Sequence, residues 1–325
     1  MGATADAVIG VDVGGTGIKA ALCRPDGSVL AERRTATPVG VPAVLAAVQE
    51  LIDALAGQAA AHGARLRGVG LGLPGMVDAA AGIARYSANL GWRDLRIQDL
   101  VAERVAVPVA IEHDARAAGL AELRLGAARG ATEALYLALG TGIGAAPISR
   151  GELIAGAGGL SGELGHLPVV TGGEVCPCGQ AGCTERYASA AALSRRYQAA
   201  SPVRPGEPTP AADPTSLVPR CDAPSAKQVI ARAAAGDPVA VRVFDEAIEA
   251  LARALICYTV LLDPALIVVG GGLSLAGARL LDPLAAALAD GLTWRPAPVL
   301  VAARFGADSG RVGAALLGWR AAGGG

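Results

Sequence analysis

Three cysteines and one histidine fall at a spacing that can hold a metal ion. In the stretch GELGHLPVVTGGEVCPCGQAGCTE, His166 stands ten residues before Cys176, and Cys178 and Cys183 complete a Cys-x-Cys-x4-Cys run. Three thiolates and an imidazole form the donor set of a closed tetrahedral zinc site. Half of the six cysteines lie within eight residues, a clustering that scattered free thiols would rarely give. Glu163 and Glu185 bracket the donors. A metal placed there shapes a binding site and leaves the reaction to other groups.

Three glycine turns supply a second kind of chemistry. Asp12-Val-Gly14-Gly15-Thr16-Gly-Ile-Lys19 follows an apolar run. Adjacent glycines let backbone N–H groups approach phosphate oxygens, and Thr16 adds a hydroxyl. Asp12 is placed to hold Mg²⁺, usually through water. No helix follows directly, so the loop is neither a P-loop nor a dinucleotide fingerprint. Gly140-Thr141-Gly142-Ile143-Gly144 repeats the chemistry, and Gly270-Gly271-Gly272 after Val268-Val269 suits a flat adenosine moiety close to backbone. Any one of these is as readily an ordinary turn. The three in this order point to nucleotide binding.

The elements that must position these groups read as an α/β chain. Ala7 to Val13, Ile18 to Cys23 and Ser28 to Arg33 read as three successive antiparallel strands, with a Pro25-Asp26-Gly27 turn before the third. Pro42 to Ala61 reads as a helix, Arg67 to Leu73 and Val107 to Glu112 as strands, and Asp114 to Leu125 as an alanine-rich helix. Strands at Ala134 to Leu139 and Gly142 to Ser149 reopen the pattern. Ala188 to Ala200 reads as a helix, and Ala226 to Leu262 as helices broken at Gly236-Asp237-Pro238, where Asp237 can cap the next one. Ala265 to Val269 is a buried strand and Ala307 to Ala321 a last helix. The segment 201–224 holds seven prolines and reads as a mobile insertion or lid. The two strand–glycine–strand starts form a weak internal repeat. Two related lobes follow from it, 1–115 completed by 307–325, and 116–306 carrying the metal stretch.

Bulk properties narrow the function. With 28 basic and 29 acidic residues the formal charge is −1, which removes the electrostatic basis for nucleic-acid binding. Mean hydropathy is +0.44, yet no uncharged run reaches 20 residues, so the expectation is a soluble protein without a membrane span. The first residues carry no basic leader. Cys23, Cys221 and Cys257 are scattered singly, which fits a reducing cytoplasm.

The chain resembles the ROK family of sugar kinases and sugar-responsive repressors. The motifs DVGGTGIKAAL, LGLPGMVD, SANLGW, LGTGIGA, GELGH, CPCGQAGCTERYAS and DPALIVVGGGLS carry the likeness over nearly the whole length. The resemblance implies a two-lobed actin-like ATPase (ribonuclease H-like) fold with a central cleft for ATP and sugar, a structural zinc site and a homodimer. It implies that Asp114 is the catalytic base, taking the proton from the attacking hydroxyl. It also implies that Gly75, Asn89, His113, Glu163, His166 and Glu185 contact the sugar. The nucleotide residues are then Asp12, Gly14, Gly15, Thr16, Lys19, Gly140, Thr141, Gly142, Gly270 and Gly271, with Mg²⁺ beside ATP.

One departure matters. Family kinases usually read Asn-Asp-Ala-Asn around the base, and this chain reads His113-Asp114-Ala115-Arg116. Imidazole offers a donor and an acceptor, as an amide does, but at longer reach and another angle. The expectation is a sugar kinase with shifted preference. The alternative is a sugar-binding regulator of the same family with weak or no kinase activity. The repressors of the family carry an N-terminal DNA-binding domain; the first glycine loop begins near residue 8, so the expectation is a chain without one.

Overall fold

The computed structural model describes residues 5–201 and 223–324. They divide into two compact units: 1–132 with 146–162 and 307–325, and 133–145 with 163–306. The sequence-based boundary at residue 115 would separate the 114–125 helix from the first unit. The helix lies with that unit, and the division falls after Thr132.

The first unit begins with β1 (Ala5–Val13), β2 (Gly17–Cys23) and β3 (Val29–Ala36), paired antiparallel as the turn residues suggest. Helix α1 (Val41–Ala59) follows, with a proline in its first turn and a left-handed Gly63 closing the short turn beyond it. With that turn, α1 is long and apolar enough to cross a membrane by length and composition alone. Its Val44, Val48, Ile52 and Leu55 are fully buried in the core against β1 and β2, which is where that apolar face is used. Strand β4 (Ala64–Leu73) leads into β5 (Met76–Asp78), β6 (Ile83–Tyr86) and β7 (Arg93–Leu95), a small antiparallel sheet. Helix α2 (Ile97–Ala102), strand β8 (Val109–His113) and helix α3 (Asp114–Leu125) complete this part. The main sheet is mixed, in the order β3-β2-β1-β4-β8.

The remaining elements are β9 (Ala134–Leu139), β10 (Ile143–Ser149), β11 (Glu152–Leu153), α4 (Glu185–Ala188), α5 (Ala190–Ala200), α6 (Ala226–Ala234), α7 (Pro238–Leu262), β12 (Leu266–Gly270), α8 (Ala278–Gly291), β13 (Val299–Ala302) and α9 (Ser309–Ala321). A second mixed sheet runs β11-β10-β9-β12-β13. Asp237 caps α7 by accepting from the Val239 and Ala240 amides at 2.9 and 3.1 Å. The small sheet, α2, α8 and β13 were not foreseen. Their strands run three to four residues, too short for alternation to show, and α8 carries Pro283 inside it. The proline-rich insertion at 201–224 falls, apart from its ends, outside the described residues, as does Cys221.

Helix α9 is fixed by glycine. Gly68, Gly70 and Gly72 alternate along β4 and so share one face, and Gly10 of β1 pairs with Gly70. A methyl group on Gly70 would overlap the Ala314 carbonyl, one on Gly10 the Ala315 amide, and one on Gly313 the Ala117 carbonyl. Backbone of α9 therefore lies directly on β1, β4 and α3, closer than any side chain would allow.

Candidate active site and metal centre

In the first unit, the carboxyl ends of β1, β4 and β8 lie side by side. The register sets Asp12 opposite Gly72, Gly72 opposite Glu112, and Leu73 opposite His113. Gly72 is the spacer: a Cβ there would sit 3.6 Å from the Asp114 Cα and 3.8 Å from an Asp12 oxygen. Asp12 and Asp114 thus meet across one glycine. Strand ends of this kind are where open α/β sheets bind ligands.

Both carboxyls are pushed up. Asp12 rises to about 7, through burial first and then the charge of Asp114, with Lys19 pulling the other way. Asp114 rises to about 6 by burial, opposed by the Ala115 amide and the Arg116 charge. Its side chain still keeps 36% of its surface open to solvent, so a reacting hydroxyl can reach it. Asp114 is the first residue of α3, and its Oδ1 accepts from the Ala115 amide at 2.6 Å. The buried His113 places Nε2 3.3 Å from the same oxygen.

Around Asp12 the phosphate loop is held from several sides. The Gly14 amide donates to the Gly17 carbonyl at 3.0 Å and the Thr37 hydroxyl to the Gly14 carbonyl at 2.6 Å. Gly15 and Thr16 stay exposed, free to offer their N–H groups. Lys19 Nζ donates to the Ala307 carbonyl at 2.7 Å and lies 3.6 Å from Asp308. Gly310, in the first turn of α9, lies against the Asp12 carboxylate so closely that a methyl group there would meet Oδ2 at 2.6 Å. Sequence reasoning missed this role of α9, and the only signal for it was the density of small residues in 309–315.

Two further candidate sugar residues of this unit, Gly75 and Asn89, lie beside the strands of the small sheet. Gly75 precedes β5 with φ +90°, and a side chain there would strike the Tyr86 carbonyl. Asn89 is exposed between β6 and β7, and its Nδ2 would lie 3.7 Å from a Cβ on Gly15. Asn89 and the glycine loop at 14–16 are therefore neighbours.

In the second unit Ile143 is the centre of the site. Its amide donates to Glu185 Oε2 at 2.7 Å, and Gly165 packs on its carbonyl. Glu185 is buried and tucked under Gly142, so one of its two oxygens holds the Gly140–Gly144 turn. The Ala190 amide at the start of α5 donates to the Gly140 carbonyl at 2.8 Å. Thr141 is exposed, and Glu163 precedes a 3₁₀ turn, Leu164–His166, that ends on His166. Gly270 ends β12 against the Tyr136 ring, and Gly271 at φ +78° lies on the Leu139 carbonyl.

The four metal donors come together as their spacing suggests. One ligand atom each from His166, Cys176, Cys178 and Cys183 lies within 4.8 Å of the others. Cys178 and Cys183 sulfurs are 3.7 Å apart, and the Cys176 sulfur is 3.8 Å from His166 Nδ1. Tetrahedral Zn–S bonds of about 2.3 Å require edges of about 3.8 Å, so the donors fit zinc. The use of Nδ1 leaves Nε2 of His166 for a second partner. The loop carrying Cys176 is fastened by Glu174, which pairs with Arg186, Arg195 and Arg196 at 3.2, 2.5 and 2.9 Å.

A family model described as the ROK family matches residues 8–320. The glucokinase of Streptomyces coelicolor is 34% identical over 321 residues, covering 95% of this chain and 96% of that protein. Among solved structures, a ROK family glucokinase from Streptomyces griseus in complex with glucose and AMPPNP superposes with a TM-score of 0.83 at 33% identity, covering 97% of this chain and 99% of that one. The ROK hexokinase from Thermus thermophilus gives 0.78, also at 33% identity, with coverage of 98% and 100%. With its strand-end carboxylates, glycine loops and cysteine cluster in place, the chain belongs to the ROK family, as a glucokinase-like member.

Proposed function

We propose that the protein is an ATP-dependent hexose kinase, transferring the γ-phosphoryl to C6 of glucose or a related or N-acetylated hexose, with Asp114 as the base. The observation that carries this reading is the meeting of Asp12 and Asp114 across Gly72. Phosphoryl transfer needs a positioned carboxylate, a metal-held phosphate and neutralised charge more than covalent chemistry. Asp114, raised by its surroundings and partly open, is suited to accept a proton. Asp12, beside the exposed N–H groups of Gly15 and Thr16, is suited to hold Mg²⁺ through water, with Lys19 supplying positive charge. Thr141, Gly140, Gly142, Gly270 and Gly271 complete the nucleotide set. When bound, Mg²⁺ neutralises charge on the phosphates.

Sugar contacts fall to Gly75, Asn89, His113, Glu163, His166 and Glu185. A structural zinc ion on His166, Cys176, Cys178 and Cys183 fixes the tautomer and direction of His166. Elemental analysis should therefore give about one zinc per chain. Replacing Cys178 with Ser should lower zinc retention and raise the hexose KM together. Zinc-free protein with an unchanged hexose KM contradicts the link.

His113 is the residue that sets preference. Against glucose, N-acetylglucosamine, N-acetylmannosamine, fructose and allose, a coupled ADP assay should find the best substrate to be one other than glucose. His113→Asn should shift kcat/KM toward glucose by about tenfold or more, since sites built around particular hydroxyls discriminate strongly. Glucose leading the panel in the unmodified protein removes the case for shifted preference. Absence of ATP turnover with every sugar removes the kinase reading and leaves a sugar-binding regulator.

The raised carboxyls give a pH signature. Asp114 must be ionised to act as base, so kcat/KM should fall as pH drops through about 6, the value to which its surroundings bring it. An isolated carboxylate would hold activity down to about pH 4. The stability term has the opposite sense. A raised carboxyl binds its proton more tightly folded than unfolded, so ionised Asp12 weakens the fold above about pH 7, and the penalty fades as pH falls below it. Activity that persists unchanged at pH 5 contradicts the assignment of Asp114.

A further inference from the structure

Arg116 takes the position where the family pattern has a short amide, and only 1% of its surface is exposed. It faces no open anion site. Its Nε donates to Glu112 Oε1 at 2.9 Å, and a terminal nitrogen lies 2.8 Å from that oxygen. The other terminal nitrogen donates at 2.7 Å to the carbonyl of Gly159, 43 positions along the chain. Glu112 Oε1 also accepts the His113 amide at 2.8 Å. One carboxylate oxygen thus gathers the backbone just before the base and the guanidinium that reaches away from it.

Gly159 is the far end of the reach. It has φ +70°, and a Cβ there would lie 2.7 Å from the Val77 carbonyl in β5. Strand β5 starts immediately after Gly75, and its sheet carries Asn89 between β6 and β7. The segment holding Gly159 runs through Gly162, at φ +97°, straight into Glu163. This segment is otherwise exposed and has no regular structure from Ala155 to Gly162. Its internal backbone bonds are few: Gly159 to Gly156 at 3.4 Å and Ser161 to Ala155 at 3.1 Å.

We propose that Arg116 is a positioning residue for the sugar side of the site: it straps the 155–162 segment, and through Gly159 the Gly75 edge of the small sheet, to the strand–helix turn that presents Asp114. The strap rests on the reading of the chain as a hexose kinase. Buried guanidinium bound in a fork to carboxylate and carbonyl is rigid in a way that an ammonium is not. A lysine can keep the charge opposite Glu112, but one nitrogen cannot span both Glu112 and Gly159. The short amide of the family pattern could not reach Gly159 at all, so the strap accompanies the His113 change in this chain.

Two variants test it from opposite ends. Arg116→Lys releases Gly159 while keeping the buried charge, and Gly159→Ala pushes the segment off Val77 while Arg116 itself and its pairing with Glu112 stay unaltered. Each should weaken hexose binding by calorimetry, and raise hexose KM, by about fivefold or more, with the KM for ATP within about twofold of the parent. Loss of general packing would move both KM values and the melting temperature together. Unchanged hexose affinity in Gly159→Ala, which leaves Arg116 and its pairing with Glu112 in place, overturns the strap even where Arg116→Lys does not fold. Parallel rises in both KM values overturn it too. A parent protein that binds no hexose refutes instead the kinase reading on which it rests.

Discussion

The first unit depends on the close approach of α9 to β1, β4 and α3. Glycines at 10, 70 and 313 let backbone meet backbone at the closest points of that contact, so the helix backbone itself stands behind the strand ends. Two consequences follow. Gly72 can separate Asp12 from Asp114 by no more than its own width, and the first turn of α9 reaches the Asp12 carboxylate through Gly310. A helix N-terminus favours negative charge, yet burial outweighs it and the carboxyl rises to about 7. Close packing thus creates the two perturbed carboxylates that the proposed chemistry uses. Perturbation of this kind, in groups that meet at the ends of strands, marks Asp12 and Asp114 as a candidate site.

The second unit uses a different economy. Ile143 is held by Glu185 on its amide and by Gly165 on its carbonyl, and both of those residues belong to the metal stretch or its lead-in. The Gly140–Gly144 turn is therefore in direct contact with the stretch that carries the cysteine cluster. Glu185, expected among the sugar contacts, places one oxygen on the Ile143 amide of the turn. Glu174, gripped by three arginines, steadies the loop between His166 and Cys176. The metal stretch holds its shape through protein contacts as well as through its donors.

Where signals were local, the sequence was legible. The 114–125 helix, the 134–139 strand and the Asp237 cap coincide with their expected positions because capping and strand–turn chemistry act over a few residues. The metal donors were equally readable, since their spacing lies within one loop. Contacts far apart in sequence left no such trace. Nothing in the series His113-Asp114-Ala115-Arg116 shows that Arg116 turns inward to Gly159, and the small residues of 309–315 permit a close approach without naming Asp12 as what Gly310 meets. The short strands of the small sheet, which carry Gly75 and Asn89, escaped for the related reason that three residues cannot display a period.

The central claim is that Asp114 takes the proton from a bound hexose. The most direct measurement sets Asp114→Asn beside the unmodified protein, reading ATP-dependent phosphorylation of the best hexose and calorimetric binding of that hexose in the same preparations. The account predicts turnover reduced by about 10³-fold or more, at the scale of general-base catalysis, with hexose binding still measurable. Turnover within tenfold of the parent in a variant that binds hexose normally would contradict it.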